Sequence, residues 1–152
     1  MLLWFAGEDP VQVSGHIHRL GTGIDETDAF QILFRSGAVA QCLVTQAAST
    51  FFFNVSIYGG AGWLTVRAWD FTRYEIEVES RAVGAYAHST LIRRRPIGDH
   101  ISTTLVPELE EFALAVSYRR APAVTAADAR RVLQTLDAVV AADRSGRAVR
   151  LG

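Results

Sequence analysis

The first two thirds of the chain alternate between apolar and polar positions, and the last third repeats its apolar positions at helical spacing. A period of two puts successive side chains on opposite faces of a strand, and a period near 3.6 gathers them on one side of a helix. In VQVSGHIHR, Val11, Val13 and Ile17 share one face, while Gln12, Ser14, His16 and His18 share the other. TDAFQILFR groups Phe30, Ile32 and Phe34, and Ser36-Gly37 then signals a hairpin into AVAQCLVTQ. FFFNVSIYG sets Phe53, Val55 and Ile57 against Asn54, Ser56 and Tyr58. Gly59, Gly60 and Gly62 mark a turn into WLTVRA. FTRYEIEVES sets Tyr74, Ile76 and Val78 against Arg73, Glu75, Glu77 and Glu79, and AYAHSTLIRRR stops at Pro96. About seven strands joined by short turns predict a mainly antiparallel sheet.

VPELEEFALAVSYRR predicts a helix with Leu109, Phe112, Ala113 and Val116 on its apolar stripe and Pro107 near its start. Its acidic residues fall early and Arg119 and Arg120 late, which suits the helix dipole. Thr125 followed by Asp128 is a capping-box pattern. The helix it opens, ADARRVLQTLDAVVAAD, carries Val132, Leu133, Leu136 and Val139 or Val140 as its stripe. Ser145-Gly146 ends it, and RAVRL predicts a short closing strand. Strands followed by helices predict an α+β fold, with an open, mainly antiparallel sheet of about six to eight strands and two C-terminal helices packed on one face. Residues 1–152 read as one domain with no linker.

The chain begins MLLWFAGEDP. Leu2, Leu3, Trp4, Phe5 and Ala6 suit the last turns of a buried helix, Gly7 a left-handed cap and Pro10 a stop. So short a helix cannot offset its nucleation cost alone, so the expectation is an element whose head lies before Met1. Trp4 and Phe5 are then expected to be poorly covered or packed against a neighbour.

Composition narrows the chemistry. A net charge of −1 supplies no global field for nucleic acid or an anionic membrane, and neither is expected as a partner. All 15 basic residues are arginine, which removes lysine Schiff-base chemistry. Cys42 stands alone, so it reads as a buried, inert thiol. No apolar run reaches the ~20 residues of a membrane span, and MLLWFA has no basic flank of a leader. The expectation is a cytoplasmic protein.

GTGIDE has glutamate where a dinucleotide loop needs its third glycine, and YGGAGW leads into a strand, so both read as turns. No cofactor-binding residue is assigned. His16 and His18 emerge on one strand face and could chelate zinc with Asp25 or Asp28, making a zinc hydrolase the weakest alternative. Too few ligands complete the set, so a polar sheet face is favoured and no metal site is assigned. Ser14 beside His16 has the wrong geometry for a triad. Arg93, Arg94 and Arg95 form the densest basic run, and Asp99-His100 could contact a substrate or act as a general base.

Several stretches together resemble the C-terminal domain of the Gfo/Idh/MocA oxidoreductases, the relatives of glucose–fructose oxidoreductase and inositol dehydrogenase. They are MLLWFAGEDPVQVSG, ETDAFQILFRSGAVAQ, VSIYGGAGWLTV and the closing PELEEFALAVSYRRAPAVTAADARRVLQTLDAVVAADRSGRAVRL. The closing stretch is the most specific: Glu-Leu, Phe, a short Arg-rich turn, Pro, Val-Thr, Asp-Ala, then Ser-Gly-Arg. In that family, a helix ending Leu-Leu-x-Trp-x-x-Gly begins with an Asp-x-x-x-His segment that assists proton and hydride transfer. The resemblance therefore implies that this segment and the Rossmann domain lie outside this sequence. No catalytic residue is assigned within it.

What the resemblance leaves to this chain is one wall of a sugar or polyol pocket and a homodimer through the open sheet face. His88, Arg94 and His100 are the implied substrate contacts. NAD or NADP is implied for a full-length protein, and none is expected to bind this chain, which is expected to be inactive alone. The alternative is a stand-alone sugar-binding or oligomerisation module without enzymatic activity.

Overall fold

The computed structural model describes residues 2–21, 23–70, 73–94 and 101–152, without the side chains of Arg94, Ile101 and Thr103. The chain divides into two compact units, Met1–Ser49 with Ala123–Gly152, and Thr50–Pro122.

In the first unit a short helix, α1 (Leu2–Ala6), leads into β1 (Pro10–Arg19), β2 (Asp25–Phe34) and β3 (Val39–Thr45). Gly7 closes α1 in the left-handed region at φ 66°, with its N–H donating to the Leu3 carbonyl at 3.1 Å. Pro10 opens β1, where its missing donor costs the ladder little. A late strand, β8 (Val149–Arg150), pairs with the free side of β1, so the order is β3-β2-β1-β8, antiparallel throughout. In the β2–β3 turn, the Ser36 N–H donates to Glu8 Oε2 at 3.0 Å and its hydroxyl to the same carboxylate, fixing the hairpin to the start of β1. At Gly15 the sheet leaves no room: an added Cβ would lie 2.6 Å from the Phe30 Cβ across the pair.

The helix covering this sheet is α3 (Ala126–Ser145). Its first turn is closed as the sequence predicts, with the Thr125 hydroxyl accepting from the Asp128 N–H and the Asp128 carboxylate accepting from the Thr125 N–H. Gly146, at φ 63°, caps its end. Its buried positions are Thr135, Ala138, Val139 and Ala142, four residues of one stripe and mostly small. Of these, Ala138 and Val139 join Val13, Ile32 and Phe34 of the sheet and Leu3 of α1 in one cluster, and Val13 is fully buried. Of the predicted stripe, Val139 is in the core, but Leu133 is 61% exposed and Val132 and Leu136 are exposed too. Small side chains let the helix axis approach the sheet, which turns the larger neighbours outward.

Near the C-terminal end of α3, Asp143 reaches β1. Its Oδ1 accepts the Ile17 N–H at 2.9 Å and its Oδ2 accepts from Arg19 at 2.7 Å. Arg19 also contacts Asp25 at 2.9 Å. The hydrogen bond from Arg19, then that from the Ile17 backbone, holds the Asp143 carboxyl below its usual range.

The second unit holds β4 (Phe53–Gly59), β5 (Gly62–Ala68), β6 (Tyr74–Ser80) and β7 (Thr90–Arg94), a four-stranded antiparallel meander. The strands that the sequence pattern gathers into one sheet are thus divided four and four. In place of one strand from residue 85, the chain forms a 3₁₀ turn, Gly84–Tyr86, before β7. Ala85 and Ala87 are poor strand formers, and the Tyr86 and Ala87 N–H groups close local bonds to Val83 and Gly84 instead. A π-helical turn, Ile101–Leu105, leads into α2 (Val106–Ser117). Only Ala115 of α2 is buried, whereas its predicted core stripe is open, Leu109, Phe112 and Val116 each being more than 60% exposed.

Two outcomes follow for stability. Because the folded-state pKa of Asp143 is depressed, its contribution is full above the unfolded value near 3.8 and is lost as pH falls through the lower folded value. Thermal unfolding should be nearly flat from neutral pH to about 5 and drop below about 4, while Asp143→Asn should lower the midpoint at neutral pH and flatten part of that drop. Gly15→Val should lower the midpoint more than Gly60→Val, whose site is open; calorimetry of both variants checks the order.

Candidate functional site

The second sheet presents one face of polar and aromatic side chains. Strand pairing sets Asn54, Arg67, Glu75 and Arg93 in one row, Ser56, Thr65, Glu77 and Leu91 in the next, and Tyr58, Trp63 and Glu79 in a third. Alternation along β4 to β7 places them all on the same side. Arg67 donates to Glu77 at 2.9 Å and Arg93 to Glu75 at 2.8 Å. The Ser56 and Thr65 hydroxyls are 3.0 Å apart, with Thr65 buried. Tyr58 is largely exposed and Trp63 half-buried beside it.

His88 lies in the exposed segment between the 3₁₀ turn and β7. Its carbonyl accepts from the Thr90 hydroxyl at 2.9 Å, and the next residue, Ser89, donates to Glu77 at 3.2 Å. The sequence-predicted histidine is thus the chain neighbour of a serine bonded to Glu77. Arg94 ends β7 opposite Tyr74, and its side chain is not among those described. Arg95, Asp99 and His100 lie outside the described residues. Glu77 and Arg67 were not singled out from the sequence, although the alternation that put Glu75, Glu77 and Glu79 on one face was the available signal.

The first sheet also has a polar side. Ser14, His16, Gln31, Gln41 and Leu43 line a shallow hollow of about 520 Å3. His16 and His18 share this side, and His18 Nε2 lies 3.3 Å from Glu26. The two aspartates considered as further ligands go elsewhere: Asp25 to Arg19, and Asp28 to the opposite side, across from Ile17. Among the described residues no group of three or more His, Cys, Asp or Glu side chains is placed to hold a metal. Cys42 is half-buried, and burial followed by the nearby Asp28 charge pushes its thiol pKa up.

The glycine-rich segments do not fit a dinucleotide. Gly21 and Gly23 lie between β1 and β2, and Gly59, Gly60 and Gly62 lie at the β4–β5 hairpin, so neither opens a helix whose N-terminus could face a pyrophosphate. Among the described residues, the polar faces offer hydroxyls, amides, ion pairs and aromatic surfaces. Those groups can orient and stack a polyhydroxylated ligand.

No family model matches the chain, and no curated protein does. Solved structures match its fold. Aldose-aldose oxidoreductase from Caulobacter crescentus, complexed with glycerol, superimposes with a TM-score of 0.78 at 21% identity, over 99% of this chain and 44% of that one. Levoglucosan dehydrogenase, in complex with NADH and L-sorbose, gives 0.75 at 15% identity, over 95% and 45%. Myo-inositol 2-dehydrogenase from Lactobacillus plantarum gives 0.68 at 23% identity, over 99% and 45%. These neighbours are oxidoreductases of the Gfo/Idh/MocA type, and this chain spans less than half the length of each.

Cys42 should react with a disulfide reagent at pH 7.5 several-fold more slowly than free cysteine, because its raised pKa and half-burial lower the thiolate available. Stopped-flow absorbance of the native chain, with the denatured chain as reference, checks this.

Proposed function

We propose that this chain is the substrate-pocket and dimer-forming domain, C-terminal in position, of a cytoplasmic NAD(P)-dependent oxidoreductase acting on a sugar or polyol. The observation that carries this reading is the extent of the fold match: nearly the whole chain superimposes on less than half of each oxidoreductase. The nucleotide domain and the groups that move the proton and hydride would then belong to the remainder. This chain's part is to bind and orient a polyol, with His88, Arg94 and His100 as the contacts. The polar second-sheet face, with Tyr58 and Trp63 beside two ion pairs, is of the right chemistry to border such a ligand.

The exposed apolar residues support the same reading. Trp4 is 77% exposed, and Leu109, Phe112 and Val116 of α2 and Val132, Leu133 and Leu136 of α3 are open as well. Uncovered apolar surface of this kind is unusual on a self-sufficient monomer and suits a domain that packs on another. Residues 1–152 act as one functional domain in this reading, and a second copy of the chain joins through the open face of the first sheet, where Leu43 is 71% exposed.

The deciding experiment is to read the DNA upstream of Met1. An in-frame segment encoding a strand, a glycine-rich loop and a helix is expected, and the longer protein should reduce NAD or NADP with a polyol or aldose. A stop codon and a start signal directly before Met1 would overturn the proposal in favour of a stand-alone module. Two measurements on the chain itself accompany it. Calorimetry with NADH and NADPH should give no saturable heat. Sedimentation at tens of micromolar should show a dimer that Leu43→Glu converts to monomer.

A further inference from the structure

We propose that a groove in the first unit binds a small polyanion, one carrying two or more carboxylate or phosphate groups, through Arg35, Arg130 and Arg150. The groove has a volume of about 630 Å3, within the range of small-molecule sites. Pro10, Ala138 and Val149 give it an apolar floor, with Pro10 and Ala138 buried and Val149 half-buried. Four arginines line it from three elements: Arg35 from the β2–β3 turn, Arg130 and Arg131 from the early turns of α3, and Arg150 from β8. Two aspartates, Asp9 and Asp137, share the lining, as does Gly152, whose α-carboxylate is a third acidic group in the 152-residue chain.

Outside the groove, five of the nine arginines with described side chains pair with a carboxylate, Arg73 with Asp70 among them. Arg19 contacts Asp25 and Asp143, Arg67 contacts Glu77, Arg93 contacts Glu75, and Arg120 makes two bonds to Glu111. In the groove only Arg131 follows that habit. It contacts Asp128 at 3.5 Å, and its Nε lies 2.5 Å from Asp9 Oδ1 but off the hydrogen-bond direction, leaving that buried donor without an aligned acceptor. Arg35, Arg130 and Arg150 have no carboxylate partner among the described residues.

Arg35, Arg130 and Arg150 are exposed and line one concavity, so their forks are free to form charge-assisted bonds to an oxyanion held there. The planar fork of arginine fits carboxylate and phosphate alike, so both ligand chemistries are served. More than one free fork favours a polyanion over a single carboxylate, and the apolar floor favours a ligand with a carbon skeleton. This inference stands apart from the oxidoreductase reading, since none of the lining residues is among the polyol contacts or the dimer-face residue named there.

The test is calorimetric titration of the 152-residue chain at low ionic strength with citrate and, separately, with inorganic pyrophosphate. One saturable site is expected, with a Kd of about 10–500 μM for at least one of the two probes. Binding of citrate alone assigns a polycarboxylate, and binding of pyrophosphate alone a phosphorylated ligand. Arg35→Ala with Arg150→Ala should weaken binding at least about tenfold, while Arg119→Ala with Arg144→Ala, an equal charge loss outside the groove, should change it less than about twofold. Arg35→Lys with Arg150→Lys, which keeps charge and lacks the fork, should fall between them, and circular dichroism confirms that each variant is folded. No saturable heat up to about 10 mM of either probe, or equal loss in the two alanine pairs, would overturn the proposal.

Discussion

A helix and a strand more than a hundred positions apart are joined by one carboxylate, and the first unit depends on that join. Asp143 accepts a backbone N–H from Ile17 and a guanidinium bond from Arg19, so it fixes α3 in register against β1 as well as attracting it. The strand pairing is irregular between His18 and Arg19, and there an exposed end of β1 would otherwise be free to fray. The Thr125–Asp128 box closes the other end of the same helix. Between those two polar fastenings Ala138 and Val139 pack in one cluster with Val13, and the core forms around it. The apolar contacts supply most of the burial, and the carboxylate decides where along the strand they fall.

Strand positions, the α3 cap and the Gly7 cap were legible because each is a local property of a few neighbouring residues. The division into two sheets was not. Nothing local to VR tells that Val149 will pair with Val13, and pairings between remote segments leave no periodic trace. The helix stripes failed for another reason. Periodicity reports which side of a helix is apolar, and it says nothing about whether that side is covered. In α3 the covered side is the one with Thr135, Ala138 and Ala142, which a search for large apolar residues passes over. The 3₁₀ turn at Gly84–Tyr86 was hidden by apparent alternation through Ala85 and Ala87, where the side chains are too small to anchor a face.

The candidate site was partly legible for related reasons. His88 was singled out from its loop position and by resemblance, and the structure sets it one residue from a side chain bonded to Glu77. Glu77 and Arg67 are seen as a pair only when β5 and β6 are laid side by side, at Thr65↔Glu77 and Arg67↔Glu75. The diagonal contact from Arg67 to Glu77 cannot be read along either strand alone.

The two kinds of surface in this molecule are not equally complete. Its ion pairs close largely within each unit: Arg19 with Asp143 and Asp25 in the first, Arg67 with Glu77, Arg93 with Glu75 and Arg120 with Glu111 in the second. Its apolar stripes do not, since Trp4, Leu109, Phe112, Val116 and Leu133 remain largely open. Exposed ion pairs contribute little and are satisfied by water when broken, so their closure says little about what a chain requires. Buried apolar area is the main source of folding free energy, and surface of that type left open marks where a chain depends on something beyond its own described contacts. The imbalance therefore falls on the term that matters most to stability, on the helices of both units and on strand positions such as Val39, Leu43 and Val44. The apolar area left open on α1, α2 and α3 is the surface that further packing would bury.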